Sequence, residues 1–147
     1  MISRPGATSQ PFHPDIIWQH PEPSALVVWI ALCDVSREMG PTLLLPRTHT
    51  RMAHAVFQHT RDPRAAADAV GCAEGAGPLL RRGDALVMDS RVLHCGLANC
   101  SDRDRTLFYC TFRRAADRSS DAEWSQSSLR ESLRDHHTLE ALCQRLC

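Results

Sequence analysis

Leu86-Val-Met-Asp89-Ser-Arg-Val-Leu-His94-Cys-Gly-Leu-Ala-Asn99-Cys-Ser-Asp-Arg-Asp-Arg105 is the stretch on which the fold of this chain turns. Ala85-Leu-Val-Met-Asp89, Val92-Leu-His94 and Thr106-Leu-Phe-Tyr-Cys-Thr-Phe112 read as strands, because β-branched and aromatic residues gather there between turn formers. A turn over residues 99–104 lets the next strand run back antiparallel. Arg105, eleven residues after His94, then points into the same cavity as that histidine and offers a carboxylate a fork of donors.

Towards the N-terminus, Ala25-Leu-Val-Val-Trp-Ile-Ala-Leu-Cys33 is too short to span a bilayer and reads as a strand buried on both faces. Gly40-Pro41 ends the turn that follows it, and Thr42-Leu-Leu-Leu-Pro46 is a short second strand, expected to pair antiparallel. Residues 47–77 form a polar excursion with one helix, Pro63-Arg-Ala-Ala-Ala-Asp-Ala-Val70, entered through its proline. Arg81-Arg82-Gly83-Asp84 reads as a strand-initiating turn. Short strands at close intervals predict a β-sandwich or barrel. Beyond Arg114 the composition turns to Asp, Ser, Arg and Gln. Leucines at 129, 133, 139, 142 and 146 mark one face of a C-terminal helix, with His136 and His137 adjacent on it and pointing apart.

With 147 residues, 43% of them hydrophobic, the chain can bury one core. Seventeen arginines balance seventeen acidic residues, so no field of one sign points to nucleic acid or an anionic membrane. The seven cysteines are odd in number, irregularly spaced and without a Cys-x-x-Cys pair, which favours reduced thiols over a disulfide framework or zinc site. No signal peptide and no apolar run of spanning length is visible, so an intracellular, cytoplasmic protein is expected.

The chemistry begins at Gln10-Pro-Phe-His13-Pro-Asp15. In an extended chain, side chains two apart leave the same face, so His13 and Asp15 can converge from one strand. An imidazole and a carboxylate make two ligands of the facial triad that holds Fe(II) with coordination positions open. The third is expected to be a histidine on another strand, and His94 stands at the end of one.

Together these residues resemble the phytanoyl-CoA dioxygenase family of Fe(II)/2-oxoglutarate oxygenases over residues 10–112. The motif Gln-x-x-His-x-Asp is matched by Gln10, His13 and Asp15, and the Trp-Ile-Ala-Leu strand with its following Asp by Trp29 to Leu32 and Asp34. Glu38, Gly40 and Pro41 match a Glu-x-Gly-Pro turn, while Gly83-Asp84, His94, Asn99 and Arg105 complete the order.

The resemblance implies a mainly β domain over residues 1–115, a double-stranded β-helix of jelly-roll, cupin-like form. A linker and short helical appendage follow over residues 116–147, and early N-terminal elements are missing. It implies iron held by His13, Asp15 and His94, with Arg105 pairing the distal carboxylate of 2-oxoglutarate. Trp29 lines the co-substrate pocket or is a plain core tryptophan. The implied activity is a dioxygenase that hydroxylates a small organic substrate using O2, with release of succinate and CO2 and with ascorbate as reductant. Asp15 argues against a halogenase, which lacks that carboxylate.

Two positions depart from the family pattern. Pro46-Arg47-Thr48-His49 stands where Pro-Gly-Ser-His is usual, so the small turn residue is absent and His49 is expected to be structural or a neighbour of the site. Gly96 replaces a hydroxyl residue two positions after His94, removing one hydrogen bond. Only twelve residues precede His13, where the family carries early strands and helices. The rival readings are a non-catalytic β-helix module or inactive fragment, and a cupin-like metalloenzyme without 2-oxoglutarate, against which Arg105 argues. His20, His54 and His59 are expected at surface or structural positions.

Overall fold

The computed structural model describes residues 1–22 and 25–113, so the expected C-terminal helix, with His136, His137, Cys143 and Cys147, lies outside the described residues. Residues Met1–Thr111 form one compact unit. In chain order its elements are β1 (Ile2–Ser3), β2 (Ala25–Ala31), β3 (Thr42–Leu44), α1 (Arg51–Thr60), α2 (Pro63–Asp68), β4 (Ala85–Asp89), β5 (His94–Gly96) and β6 (Arg105–Arg113).

The strands make two sheets, one of order β1-β6-β2-β4 and one pairing β3 with β5. Single antiparallel bridges extend the small sheet on both sides, His13 against His94 and Ala76 against Leu44. The unit Met1–Thr111 is mainly β, a double-stranded β-helix of jelly-roll type.

Strand β2 shows how the sequence builds this. Its apolar run is not buried on both faces: Ala25, Val27, Trp29 and Ala31 point inward, while Leu26 is 41% exposed. The strand belongs to an antiparallel sheet, not to a parallel one covered on both sides, so burial follows the two-residue period. Val27 stands opposite Met88 and Trp29 opposite Leu86 across the β2/β4 ladder. Leu44 from the small sheet packs on this group, so the core lies between the two sheets. Burying side chains of this size stabilises by roughly 1.5–3 kcal/mol each.

Strand β3 does not pair with β2 as expected. It pairs with β5, Leu43 opposite Cys95 and Leu44 opposite His94, because the connection through Gly40 carries the chain from one sheet to the other. Gly40 has φ +68, and a Cβ there would lie 2.2 Å from the carbonyl oxygen of Ala98. Only glycine allows the backbones this close.

The strand expected at residues 92–94 begins two residues later, at His94. The Asp89 side chain accepts from the Arg91 N–H at 2.9 Å, and the Val92 N–H donates to the Asp89 carbonyl at 3.0 Å. A turn therefore occupies these residues before the ladder starts. The expected turn at residues 81–84 is present, closed by the Arg81 N–H on the Asp84 carboxylate with Gly83 at φ +94.

Helix α2 forms where predicted, with Asp62 accepting from Arg64 N–H and Pro63 in the first turn. Helix α1 was not predicted. Thr50 caps its N-terminus and Arg61, at φ 57, ends it in the left-handed conformation. Ala53 and Ala66 from the two helices close on Leu93, with Leu45, Val56 and Phe57 around them, and so cover the small sheet.

Candidate metal centre

His13 and His94 face each other across one narrow antiparallel bridge, each N–H donating to the other's carbonyl at 3.0 Å. Their rings lie 4.5 Å apart between centroids. The expected continuous strand from His13 to Asp15 is replaced by a bend: the N–H groups of Asp15 and Ile16 both donate to the Ser90 carbonyl, at 2.9 and 3.1 Å. The bend still leaves the Asp15 carboxylate beside both imidazoles. Its Oδ1 is 3.9 Å from His13 Nε2 and 3.7 Å from His94 Nε2.

One ligand atom from each residue lies within 4.8 Å of the others, the one such group of His, Cys, Asp or Glu among the described residues. In both histidines Nδ1 is 2.9 Å from a backbone carbonyl, that of Pro11 for His13 and of Val92 for His94. A carbonyl only accepts, so Nδ1 carries the proton and donates, leaving the Nε2 lone pairs free towards Asp15. Burial pushes the His94 imidazole below its ordinary proton affinity; its bond to Val92 and the Asp15 charge work the other way without reversing the shift. A neutral, correctly tautomerised imidazole is what a metal requires. His94 is buried while His13 and Asp15 are about a third exposed on their side chains, so the group opens to solvent on their side.

Trp29 and Arg105 stand next to this group. The Trp29 ring lies 5.4 Å from that of His94, and the residue is 6% exposed within the core cluster of Val27 and Met88, so it is both core and neighbour of the site. Arg105 is 4% exposed, yet its Nε and Nη1 have no hydrogen-bond partner among the described residues. Burial pushes its proton affinity down, but a guanidinium stays charged at neutral pH. With Trp29 and Arg105, Thr42, Leu86 and Leu107 line a cavity. A buried cation with unmet donors in an apolar cavity costs several kcal/mol unless an anion meets it, on the order of the penalty for an unpaired ion.

Gly96 leaves room for two neighbours. A Cβ there would lie 2.9 Å from Gln10 Oε1 and 3.3 Å from Arg105 Nη2, and the Gly96 N–H donates to that Gln10 oxygen at 2.9 Å. Asn99 is buried and its Nδ2 donates to the carbonyls of Ser3 and Arg103, which shapes the loop leading into Arg105. Thr42, Ser90 and Arg91 were not singled out from the sequence. The Asp-x-Arg spacing of Asp89 and Arg91 beside His94 was the one signal for the last.

The remaining candidates lie apart from the metal group. Arg47 adopts φ 70, the left-handed conformation that the usual glycine accepts without strain, and His49 follows it in the turn before α1. His54 is buried and structural: it lies 2.8 Å from the Arg91 carbonyl through Nε2 and accepts the Trp18 N–H through Nδ1. His59 is exposed at the end of α1, and His20 is half-buried. Cys33, Cys72, Cys95, Cys100 and Cys110 are free thiols.

The phytanoyl-CoA dioxygenase family model matches residues 1–107. The search of curated proteins finds no match. Among solved structures, EvdMO1 aligns with a TM-score of 0.61 at 21% identity, over 78% of this chain and 25% of that one. The non-heme alpha ketoglutarate dependent carbocyclase SnoK from nogalamycin biosynthesis aligns at 0.56 and 23% identity, over 84% of this chain and 54% of that one. EctD from S. alaskensis with bound Fe aligns at 0.59 and 17% identity, over 75% of this chain and 41% of that one. The chain thus spans between a quarter and about half the length of these proteins.

Proposed function

Because the chain belongs to the phytanoyl-CoA dioxygenase family, we propose that it carries the iron site of a 2-oxoglutarate-dependent oxygenase, with His13, Asp15 and His94 as ligands and residues 1–115 as the catalytic domain. The observation that carries this reading is the convergence of two bare Nε2 atoms and one carboxylate within 4.8 Å, next to a buried arginine with unmet donors. Two imidazoles and a carboxylate are the donor set that suits non-haem Fe(II) while leaving positions for co-substrate and oxygen. EctD, which shares the fold, has been solved with Fe and with 2-oxoglutarate.

Bound iron would supply the oxidising power, coupling O2 and 2-oxoglutarate to hydroxylation of a small organic substrate with loss of succinate and CO2. The chain's own residues do the rest. Arg105, a buried guanidinium with donors otherwise unmet, takes the distal carboxylate of 2-oxoglutarate, which fixes the co-substrate's direction. Trp29, Leu86 and Leu107 keep water from the cavity around that pair, and a drier pocket strengthens the ion pair. Pro11 and Val92 carbonyls hold the two imidazoles in the tautomer that presents Nε2. Asp15 and His13 stand on the open side, where substrate would enter.

No helix of the described residues is long and apolar enough to cross a membrane, and the partner proposed is a small molecule met in the cytoplasm. The test is conversion of 2-oxoglutarate to succinate by the whole chain with Fe(II) and ascorbate, followed by NMR. Iron-dependent succinate formation that disappears in His94→Ala supports the reading. Succinate formed equally by that variant would exclude it.

A further inference from the structure

Residues 89–91 make contacts that neither the ligand set nor the co-substrate cavity accounts for. Arg91 is 2% exposed and grips Asp89 through two parallel bonds, Nε to Oδ1 at 2.9 Å and Nη2 to Oδ2 at 2.6 Å. Its remaining nitrogen, Nη1, donates to three successive carbonyls across the molecule: His20 at 2.6 Å, Pro21 at 3.1 Å and Glu22 at 3.3 Å. The Arg91 carbonyl holds His54 Nε2, and the other nitrogen of that ring receives the Trp18 N–H at 3.0 Å. The Ser90 carbonyl receives the N–H groups of Asp15 and Ile16.

Apart from the Arg91–Asp89 pair itself, these bonds tie residues 90 and 91 to residues 15–22, either directly or through the histidine that holds residue 18. The first segment leads directly into His94 and the second starts at Asp15. Two stretches about seventy residues apart in sequence, one leading into a metal ligand and the other starting at one, are thereby fastened at the start, middle and end of the second. Simple stability does not require this arrangement, since a buried ion pair replaced by apolar side chains is often no less stable. A bidentate guanidinium with three carbonyls on its free edge instead fixes geometry, because a planar fork tolerates little rotation.

We propose that Arg91, held by Asp89, is a positioning residue that sets the Asp15 carboxylate against His94 Nε2 and so tunes the metal centre. This rests on the reading of His13, Asp15 and His94 as metal ligands. Arg91 touches neither metal nor substrate; it acts through the backbone of residues 15–22. A lysine at 91 keeps the charge but loses the fork, so the bend at Asp15 gains freedom and the carboxylate spends less time within reach of the metal.

The test is anaerobic Co(II) titration of the whole chain, reading affinity and the visible ligand-field bands at saturation, in wild type, Arg91→Lys, Asp89→Asn, Val56→Ala and His13→Ala. Val56→Ala loosens the α1 core without touching the clamp and controls for general loss of stability. Arg91→Lys is expected to bind Co(II) about 10–100-fold more weakly with altered bands, and Asp89→Asn about 10-fold more weakly, as partners of metal ligands do when changed. Val56→Ala is expected to keep wild-type affinity and bands. Wild-type affinity and bands in Arg91→Lys would overturn the proposal, as would the same loss in Val56→Ala. Asp89→Asn decides by the same criteria if Arg91→Lys does not fold. If His13→Ala binds as wild type does, the ligand assignment itself fails, which this series separates from failure of the clamp.

Discussion

His94 is where the sequence, the backbone and the chemistry meet in one side chain. It opens β5, bonds to the backbone of His13, and turns a bare Nε2 towards Asp15 because Val92 occupies its Nδ1. Removing any of His13, Asp15 or His94 leaves two ligands on an open site, too few to compete with water. Alanine at each position is expected to abolish stoichiometric Fe(II) binding, measured by equilibrium dialysis under argon; retention in one variant would remove that residue from the set. Arg105→Lys is expected to keep iron and bind 2-oxoglutarate on the order of tenfold or more weakly, since an ammonium cannot reproduce a bidentate contact. Calorimetry of the iron-loaded variant measures this, and unchanged affinity would take Arg105 out of the pocket. That His13, Asp15 and His94 would lie together was expected from His-x-Asp and a later His on a strand, while the roles proposed for these three and for Arg105 came from the family resemblance. Arg91 was not legible in its role, because its partners are backbone carbonyls at residues 20–22, which leave no mark in side-chain identity.

Among the elements, β2, β4 and β6 could be read from their β-branched and aromatic runs, whereas α1 could not. Its core face is short, Ala53, Val56 and Phe57 beside the polar His54, and lies in a polar, histidine-containing stretch that reads as an excursion from the sheet. Sheet partners were also hidden. Only the close approach at Gly40 reveals that β3 crosses to the other sheet, and a glycine in sequence does not say which backbone it touches. Gly40→Ala is expected to cost about 3 kcal/mol or more, by urea unfolding, because the new methyl meets the carbonyls of Leu97 and Ala98 at a left-handed φ. A cost under about 1 kcal/mol would mean that the turn relaxes freely. Arg47→Gly tests the opposite case. Relieving a left-handed arginine gains about 1–2 kcal/mol, and the freer unfolded chain offsets about 0.5–1 of it, so a net stabilisation of up to about 1.5 kcal/mol is expected. A destabilised variant would show that Arg47 contributes through its side chain.

For the molecule as a whole, pH response follows from two buried histidines. Burial holds His54 below its ordinary proton affinity, although the bond to the Arg91 carbonyl opposes this, and His94 is shifted in the same direction. In the unfolded chain both titrate near the ordinary value of about 6.5. Their folded values are lower, so their contribution is fully present above about pH 6.5 and is lost as pH falls through the folded values. Burial opposes the Asp89 charge too, but its bonds with Arg91 together outweigh it and hold the carboxyl below the usual range. That contribution is present above about pH 3.9 and is lost at still lower pH. The urea midpoint is expected to fall between pH 7.5 and 5, and His54→Gln to make that fall shallower; identical slopes would show that His54 is not held neutral.

In the proposed site one iron and one 2-oxoglutarate share the space bounded by His13, Asp15, His94 and Arg105. Anaerobic titration of the whole chain with Fe(II), with and without 2-oxoglutarate, tests it most directly, because co-substrate chelating the protein-bound metal gives a visible metal-to-ligand charge-transfer band. The band is expected only when both are present, to saturate at one equivalent of iron, and to vanish in His94→Ala. A band that persists unchanged in His94→Ala, or no band at saturating iron and 2-oxoglutarate, would contradict the account.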